Sequence, residues 1–268
     1  MYRIIPILIL FLTGLHIFAA TDSIAGRDSV SINKSNLVSE TNMEFAGKLY
    51  TSGEFAKAAE IYENILKESG ETFEVLYNLG NSRYKSGEYA YAILNFERAL
   101  LIKPGDRDAR FNLELCESKI VDKIVPVGKF LVARWFDSLG NNFNSNGWAK
   151  ISITFFVILI ASLFAYFFSS FSWLKKVGFY SSLFSLIFTI LSLSYSSQKY
   201  KESKNPDKAI LFTPTVTVKS SPDKSGTDLF ILHEGTKVRI KSELGSWKEI
   251  EIADGNVGWI ESKHLVVI

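Results

Sequence analysis

The chain has one cysteine and three histidines in 268 residues, and its formal charge of +2 is close to neutral. Each shortage removes a class of function. A lone Cys116 forms no intrachain disulfide, and its expected role is small buried packing on a helix. His16, His233 and His264 stand apart from cysteine and from spaced carboxylates, so a zinc site has nothing to be built from. No Ser–His–Asp set or Cys–His pair assembles from the sequence. No catalytic, cofactor-binding or metal-binding residue is expected, and an enzyme is not. The balanced charge offers no basis for nucleic acid as a partner.

Two long stretches lack Asp, Glu, Lys, Arg and His altogether: ISITFFVILIASLFAYFFSSFSWL from Ile151 and VGFYSSLFSLIFTILSLSYSS from Val177. About 20 apolar residues cross a bilayer core as a helix, so the pair predicts a transmembrane hairpin, 148–174 and 177–197. Trp148 and Trp173 flank the first run at the depth of an aromatic belt, and Lys175-Lys176 lie between the runs. Transporters and proton relays need ionisable groups at mid-membrane; only hydroxyls are present, which argues against an autonomous transporter. Ser181, Ser182, Ser185 and Ser192 would permit close helix packing, within the hairpin or with a partner.

A third apolar run opens the chain. Arg3 supplies a short positive region, Ile4 to Leu12 an apolar core, and small residues follow, with Ser23-Ile24-Ala25 or Ala19-Ala20 as cleavage sites. This predicts a signal peptide over 1–25 and a linker over 26–40; an uncleaved anchor is the other reading. Either places the next segment outside the cytoplasm. The modules then lie on the exported side of the membrane, with Lys175-Lys176 inside. Lys199, Lys201 and Lys204 sit at the exported end, against the usual inward bias of basic residues.

Between 41 and 125 the chain repeats itself. Tyr50, Gly53, Phe55, Ala58 and Tyr62 recur 34 residues later as Tyr84, Gly87, Tyr89, Ala92 and Phe96, and Tyr77-Asn78-Leu79 recurs as Phe111-Asn112-Leu113. Fixed periods of this size mark stacked helical hairpins. Gly53 and Gly87 fall where one helix must turn into the next. Ala58, Ala92 and Ala99 are small where helices cross, and Pro104 stops the second hairpin. Asp106 or Arg107 then opens a capping helix expected over 108–124.

LYNLGNSRYKSGEYAYAILNFERALLIKP resembles the tetratricopeptide repeat, carrying Leu79-Gly80, Gly87, Tyr89, Ala92, Phe96, Ala99 and Pro104 in that family's order. The first copy has Phe45-Ala46 in place of Leu-Gly, and Gly70 in place of the closing proline. The resemblance implies a groove that binds peptide segments. Its lining would be Tyr50, Tyr77, Asn81, Tyr84, Lys85 and Phe111, with Arg83 and Arg110 as further basic residues. The bland alternative is that these side chains pack or face solvent.

The segment 126–147 reads as an amphipathic juxtamembrane stretch whose helix lies on the membrane surface or finishes the stack of repeats, and 198–207 as a linker. From 208 to 268 the pattern becomes period two, as in Val216, Val218, Val238, Ile240, Ile250 and Ile252, with Gly- and Asp-rich turns. About five short strands would form a small barrel. VKSSP, EGTKVRI and GSWKEIEIADGNVGWI resemble a bacterial SH3-type domain, with Lys219 and Ser221 where that family has arginine and glycine. Trp247 and Trp259 are its candidate contacts, although in so small a barrel core positions are the commoner place for tryptophan.

The fold class expected is therefore a multidomain membrane protein: all-α repeat hairpins, a transmembrane α-hairpin and an all-β barrel. This order of modules resembles the BatE proteins of bacterial aerotolerance (Bat) operons. The resemblance implies a non-enzymatic scaffold whose partners are the bilayer and membrane-anchored von Willebrand A-type proteins, with a MoxR-type ATPase and a role in envelope stress. A wall anchor or sensor whose tail binds peptidoglycan is the alternative.

Overall fold

A computed structural model describes residues 41–125, 128, 131–204 and 206–268. The expected signal peptide and the linker behind it lie outside the described residues. Five helices come first: α1 over 41–51, α2 Phe55–Ser69, α3 Phe73–Lys85, α4 Tyr89–Ile102 and α5 Arg107–Glu117. The 34-residue offset in sequence is also an offset in hydrogen bonding. Glu54 N donates to Leu49 O at 2.9 Å, and Glu88 N donates to Arg83 O at 2.9 Å. Gly53 and Gly87 make these turns at φ +84° and +81°, a region that L side chains avoid. Thr72 and Asp106 cap α3 and α5 through their side chains, accepting from Val75 N and Ala109 N. Ala58, Ala92 and Ala99 are fully buried where the helices cross, and Phe96 is buried against Gly80 and Tyr77 of α3, within its own hairpin.

The capping helix ends at Glu117, not at Ile124. The physical reason is a competing tie: Asp122 is bonded to the C-terminal domain, and Ile124 packs against that domain's core. An extended segment satisfies both where a helix would not.

Helices α6 (Leu131–Gly140), α7 (Ser145–Phe168) and α8 (Ser172–Lys204) follow, and α7 and α8 are each long and apolar enough to cross a membrane. They pack side by side along a seam of small residues. Ser185 and Ser192 are almost fully buried, and Ser162 Oγ donates to Ser181 Oγ at 2.9 Å. A Cβ on Gly178 would stand 2.8 Å from Ser162 O, so the backbones meet there. Lys175 and Lys176 lie inside α8, the turn being confined to 169–171. α8 remains helical to Lys204, through most of the stretch read as a linker, supported by bonds from Gln198 and Lys199 to Glu202 at helical spacing. Trp148 is not placed at a surface belt. It is buried, its indole N–H donates to Gly140 O at 3.1 Å, and its ring stacks on Tyr195.

The C-terminal segment forms a seven-stranded antiparallel sheet rather than five strands. Its members are β1 (Lys208–Leu211), β2 (Thr215–Lys219), β3 (Asp228–His233), β4 (Lys237–Leu244), β5 (Trp247–Glu251), β6 (Val257–Glu261) and β7 (Leu265–Val267). The order is β3-β2-β6-β5-β4-β1-β7. Alternating residues such as Val216, Val218, Ile250 and Ile260 form one apolar core.

Candidate interaction surfaces

Strand β1 is buried on both faces. Ala209 and Leu211 enter the sheet's own core, whereas Ile210 enters a cluster made by Ala90, Ile93 and Leu94 of α4 and Leu113 and Cys116 of α5. The repeats and the sheet therefore share a hydrophobic core. Tyr91 meets Phe212 edge to face at 4.7 Å between centroids. Arg98 donates to Val267 O at 3.0 Å, and Lys237 bridges Glu97 and Glu117.

One carboxylate organises the far side of this interface. Asp122 accepts from His233 N and from Thr236 Oγ1, and bonds His233 Nδ1, at 2.6–2.7 Å. Burial by itself would raise its pKa. The bonds from Thr236 and His233 outweigh that and hold the carboxyl below its ordinary value of 3.8. Burial also pushes the Cys116 thiol up to about 12, so at neutral pH it is a packing group and not a nucleophile.

The sheet docks on α4, the second helix of its hairpin, and on the end of α5. The side of α1 and α3 where the expected groove residues lie keeps its exposure. On that side Asn112 of α5 donates to Asn81 at 2.8 Å and to the Tyr77 hydroxyl at 3.3 Å. The Asn81 amide nitrogen has no protein partner among the described residues. Tyr77 rests edge-on against Phe96 and Tyr50 against Phe55, and Tyr84 lies tilted against Tyr89; all three tyrosines are half-buried. Burial, with a smaller contribution from Tyr77, raises the Tyr50 phenol. Lys85 is exposed and makes no ion pair among the described residues, and Phe111 is 64% exposed. Asn112 joins the expected set as a residue that sequence reasoning left out, although it stands inside the recurring Phe111-Asn112-Leu113.

The expected basic lining is thinner than it looked. Arg83 pairs with Glu63 and Glu88 and lies over the Tyr91 ring, so it ties α2 to α4 instead of facing a ligand. Arg110 turns back to donate to Pro104 O.

On the sheet, Trp247 and Trp259 belong to neither apolar core. In β5 and β6 the buried residues are Ile250, Gly258 and Ile260, so period two sends both tryptophans to the outer face. Trp247 borders a shallow groove of about 230 Å³ with Thr217, Lys219, Glu261 and His264. Trp259 pairs in register with Lys219 beside it. Neither indole N–H has a protein acceptor among the described residues.

A family model described as tetratricopeptide repeat matches residues 73–106, which are α3, α4 and the loop that leads to α5. Such repeats are in general protein-interaction modules. No curated protein matches the chain.

Proposed function

We propose that the chain is a non-enzymatic, membrane-anchored scaffold whose repeat groove holds a peptide segment of a protein partner. The observation that carries this reading is the direction of docking. The sheet occupies α4 and the end of α5, and leaves open the side bearing Tyr77, Asn81, Lys85 and Phe111. Asn81 offers an amide donor to an extended backbone, Lys85 a charge for a carboxylate, and Phe111 apolar area. In this reading α7 and α8 span the bilayer, both soluble modules lie together on the periplasmic side of a bacterial inner membrane, and the sheet is a small barrel of SH3 type. The order of modules resembles BatE proteins, and that resemblance implies membership of a Bat complex with von Willebrand A-type proteins as the partners held.

The test is co-purification of von Willebrand A-type proteins from membranes with the full chain and with Lys85→Ala/Phe111→Ala. Recovery is expected to fall at least tenfold, the equivalent of about 1.4 kcal/mol; unchanged recovery overturns the groove reading. Topology is read separately, in a Cys116→Ser background, by labelling Ser52→Cys, Lys175→Cys and Ser225→Cys. The first and third are expected to react from one side of the membrane and Lys175→Cys from the other.

The outward tryptophans favour a second reading, in which the sheet grips peptidoglycan peptides through the groove at Trp247. Full-length protein in detergent would then sediment with purified sacculi, and Trp247→Ala would not.

A further inference from the structure

A polar cavity of about 520 Å³ lies where the repeats, the outer ends of α7 and α8 and the sheet meet. The contacts around it are specific. Asn144, which caps α7 by accepting from Gly147 N, also donates to Ile102 O at the end of α4. Ser145 donates to Ser196 O, and Lys199 donates to Asn141 at 2.7 Å. Four cations face two carboxylates in the lining. Lys237 is matched by Glu97, and Lys199 by Glu202. Arg110 and Lys208 remain, and neither makes an ion pair among the described residues. Lys208 is half-buried, so its charge is partly withdrawn from water, and the carboxylate within electrostatic reach of it, Glu202, is already shared with Lys199. The first turn of α7, with its free N–H groups, adds positive potential to the same space.

The depth of this cavity matches one layer of a bilayer. Asn146 on α7 stands five residues before Ile151, where the apolar run begins, a rise of about 8 Å along the helix. Lys199 stands two residues past Ser197, where the second run ends, about 3 Å. Headgroups occupy roughly the first 5–8 Å beyond the hydrocarbon core.

The geometry points to this cavity as a binding site for the phosphate of an anionic phospholipid headgroup, held by Arg110 and Lys208, with Lys199 and the start of α7 completing its surroundings. A phosphodiester supplies negative charge against the excess of four cations over two carboxylates in the lining, and its acyl chains run down the apolar surfaces of α7 and α8. The inference rests on the hairpin lying in a bilayer, and is independent of which protein occupies the repeat groove. It also supplies a reason for lysines at this end of the hairpin other than a cytoplasmic location.

The experiment is native mass spectrometry of the full chain released from micelles containing equimolar phosphatidylglycerol and phosphatidylcholine. The wild-type chain is expected to retain phosphatidylglycerol preferentially. The preference should fall roughly fivefold for each charge removed in Arg110→Gln and Lys208→Gln, and be kept in Lys208→Arg and in the distant Lys119→Gln. Equal retention of both lipids by the wild-type chain overturns the proposal whether or not the variants fold, as does an unchanged preference in the double variant. A parallel arm measures thermal unfolding with inorganic phosphate alone. Protection by phosphate equal to that by phosphatidylglycerol reassigns the site to a soluble anion and overturns the lipid. Failure to enter nanodiscs of either lipid would instead count against the hairpin itself.

Discussion

The chain is held together by two internal interfaces of opposite chemistry. Between repeats and sheet, a bulky Ile210 is inserted into an apolar cluster and flanked by charged bonds from Asp122 and Lys237. Between α7 and α8 the contact is made by Ser162, Gly178, Ser181, Ser185 and Ser192, while Phe, Ile and Leu face outward. The difference follows from the solvent. In water, removing an isoleucine side chain from solvent stabilises by about 1.5–3 kcal/mol, so large apolar groups go to the interface. In lipid that gain vanishes, and close backbone approach through small residues takes its place. One sequence carries both patterns, and the seam of α7 and α8 is the one expected of a hairpin in lipid.

The contrast can be broken at either interface. The largest effect is expected at Ile210, where truncation to Ala removes contacts from a core shared by two domains. The cost should be about 2–5 kcal/mol, visible as a lower thermal midpoint and as protease cleavage near Pro206. Gly178→Val comes next. Its side chain would strike the backbone of Ser162 and Tyr166, costing about 1–3 kcal/mol by overpacking. Disulfide crosslinking of a Ser162→Cys/Ser181→Cys pair in the Cys116→Ser background should fall, whereas Ile210→Ala should leave it unchanged.

Asp122→Asn sharpens the comparison through pH. A carboxyl whose folded pKa is depressed contributes stability that is present above its ordinary value of 3.8 and is lost as pH falls through the folded value. The repeat–sheet interface should therefore loosen as the pH is lowered below about 4, and Asp122→Asn should flatten that dependence at a cost of about 1–2 kcal/mol at neutral pH. The hairpin, with no such group in its seam, should show no parallel change in crosslinking. The smallest effect is expected at Lys48, whose pairing with Glu44 is exposed to solvent. Lys48→Ala should move stability by less than about 0.5 kcal/mol, within the error of a melting curve.

These interfaces were unequally legible in the amino-acid sequence. The repeat hairpins declare themselves because Gly53 and Gly87, Ala58 and Ala92, and Tyr62 and Phe96 solve the same local problem at one fixed spacing. The apolar runs are visible by composition alone. The docking of sheet on repeats is not, since Asp122 and His233 are 111 residues apart and each is ordinary in its own neighbourhood. Ile210 reads as any strand residue until α4 is placed over its second face. The helical extension to Lys204 was hidden for another reason: its residues are polar, and only pairing along the helix keeps them from reading as loop. The outward tryptophans were accessible in principle, because Gly258 and Ile260 already fix which parity of β6 points inward. Knowing that tryptophan is usually buried in small barrels outweighed that alternation.

One consequence comes from the unbroken run of α8. At about 1.5 Å per residue its 33 residues reach roughly 50 Å, well past a hydrocarbon core of about 30 Å, and only 205–207 separate its end from β1. The last 61 residues thus ride on a stiff lever, not on a leash. Under the proposed function, a partner that tugs on the repeats would tilt that lever as a whole and carry mechanical load into the bilayer, so that grip at one end of the molecule is felt as a change of angle at the other.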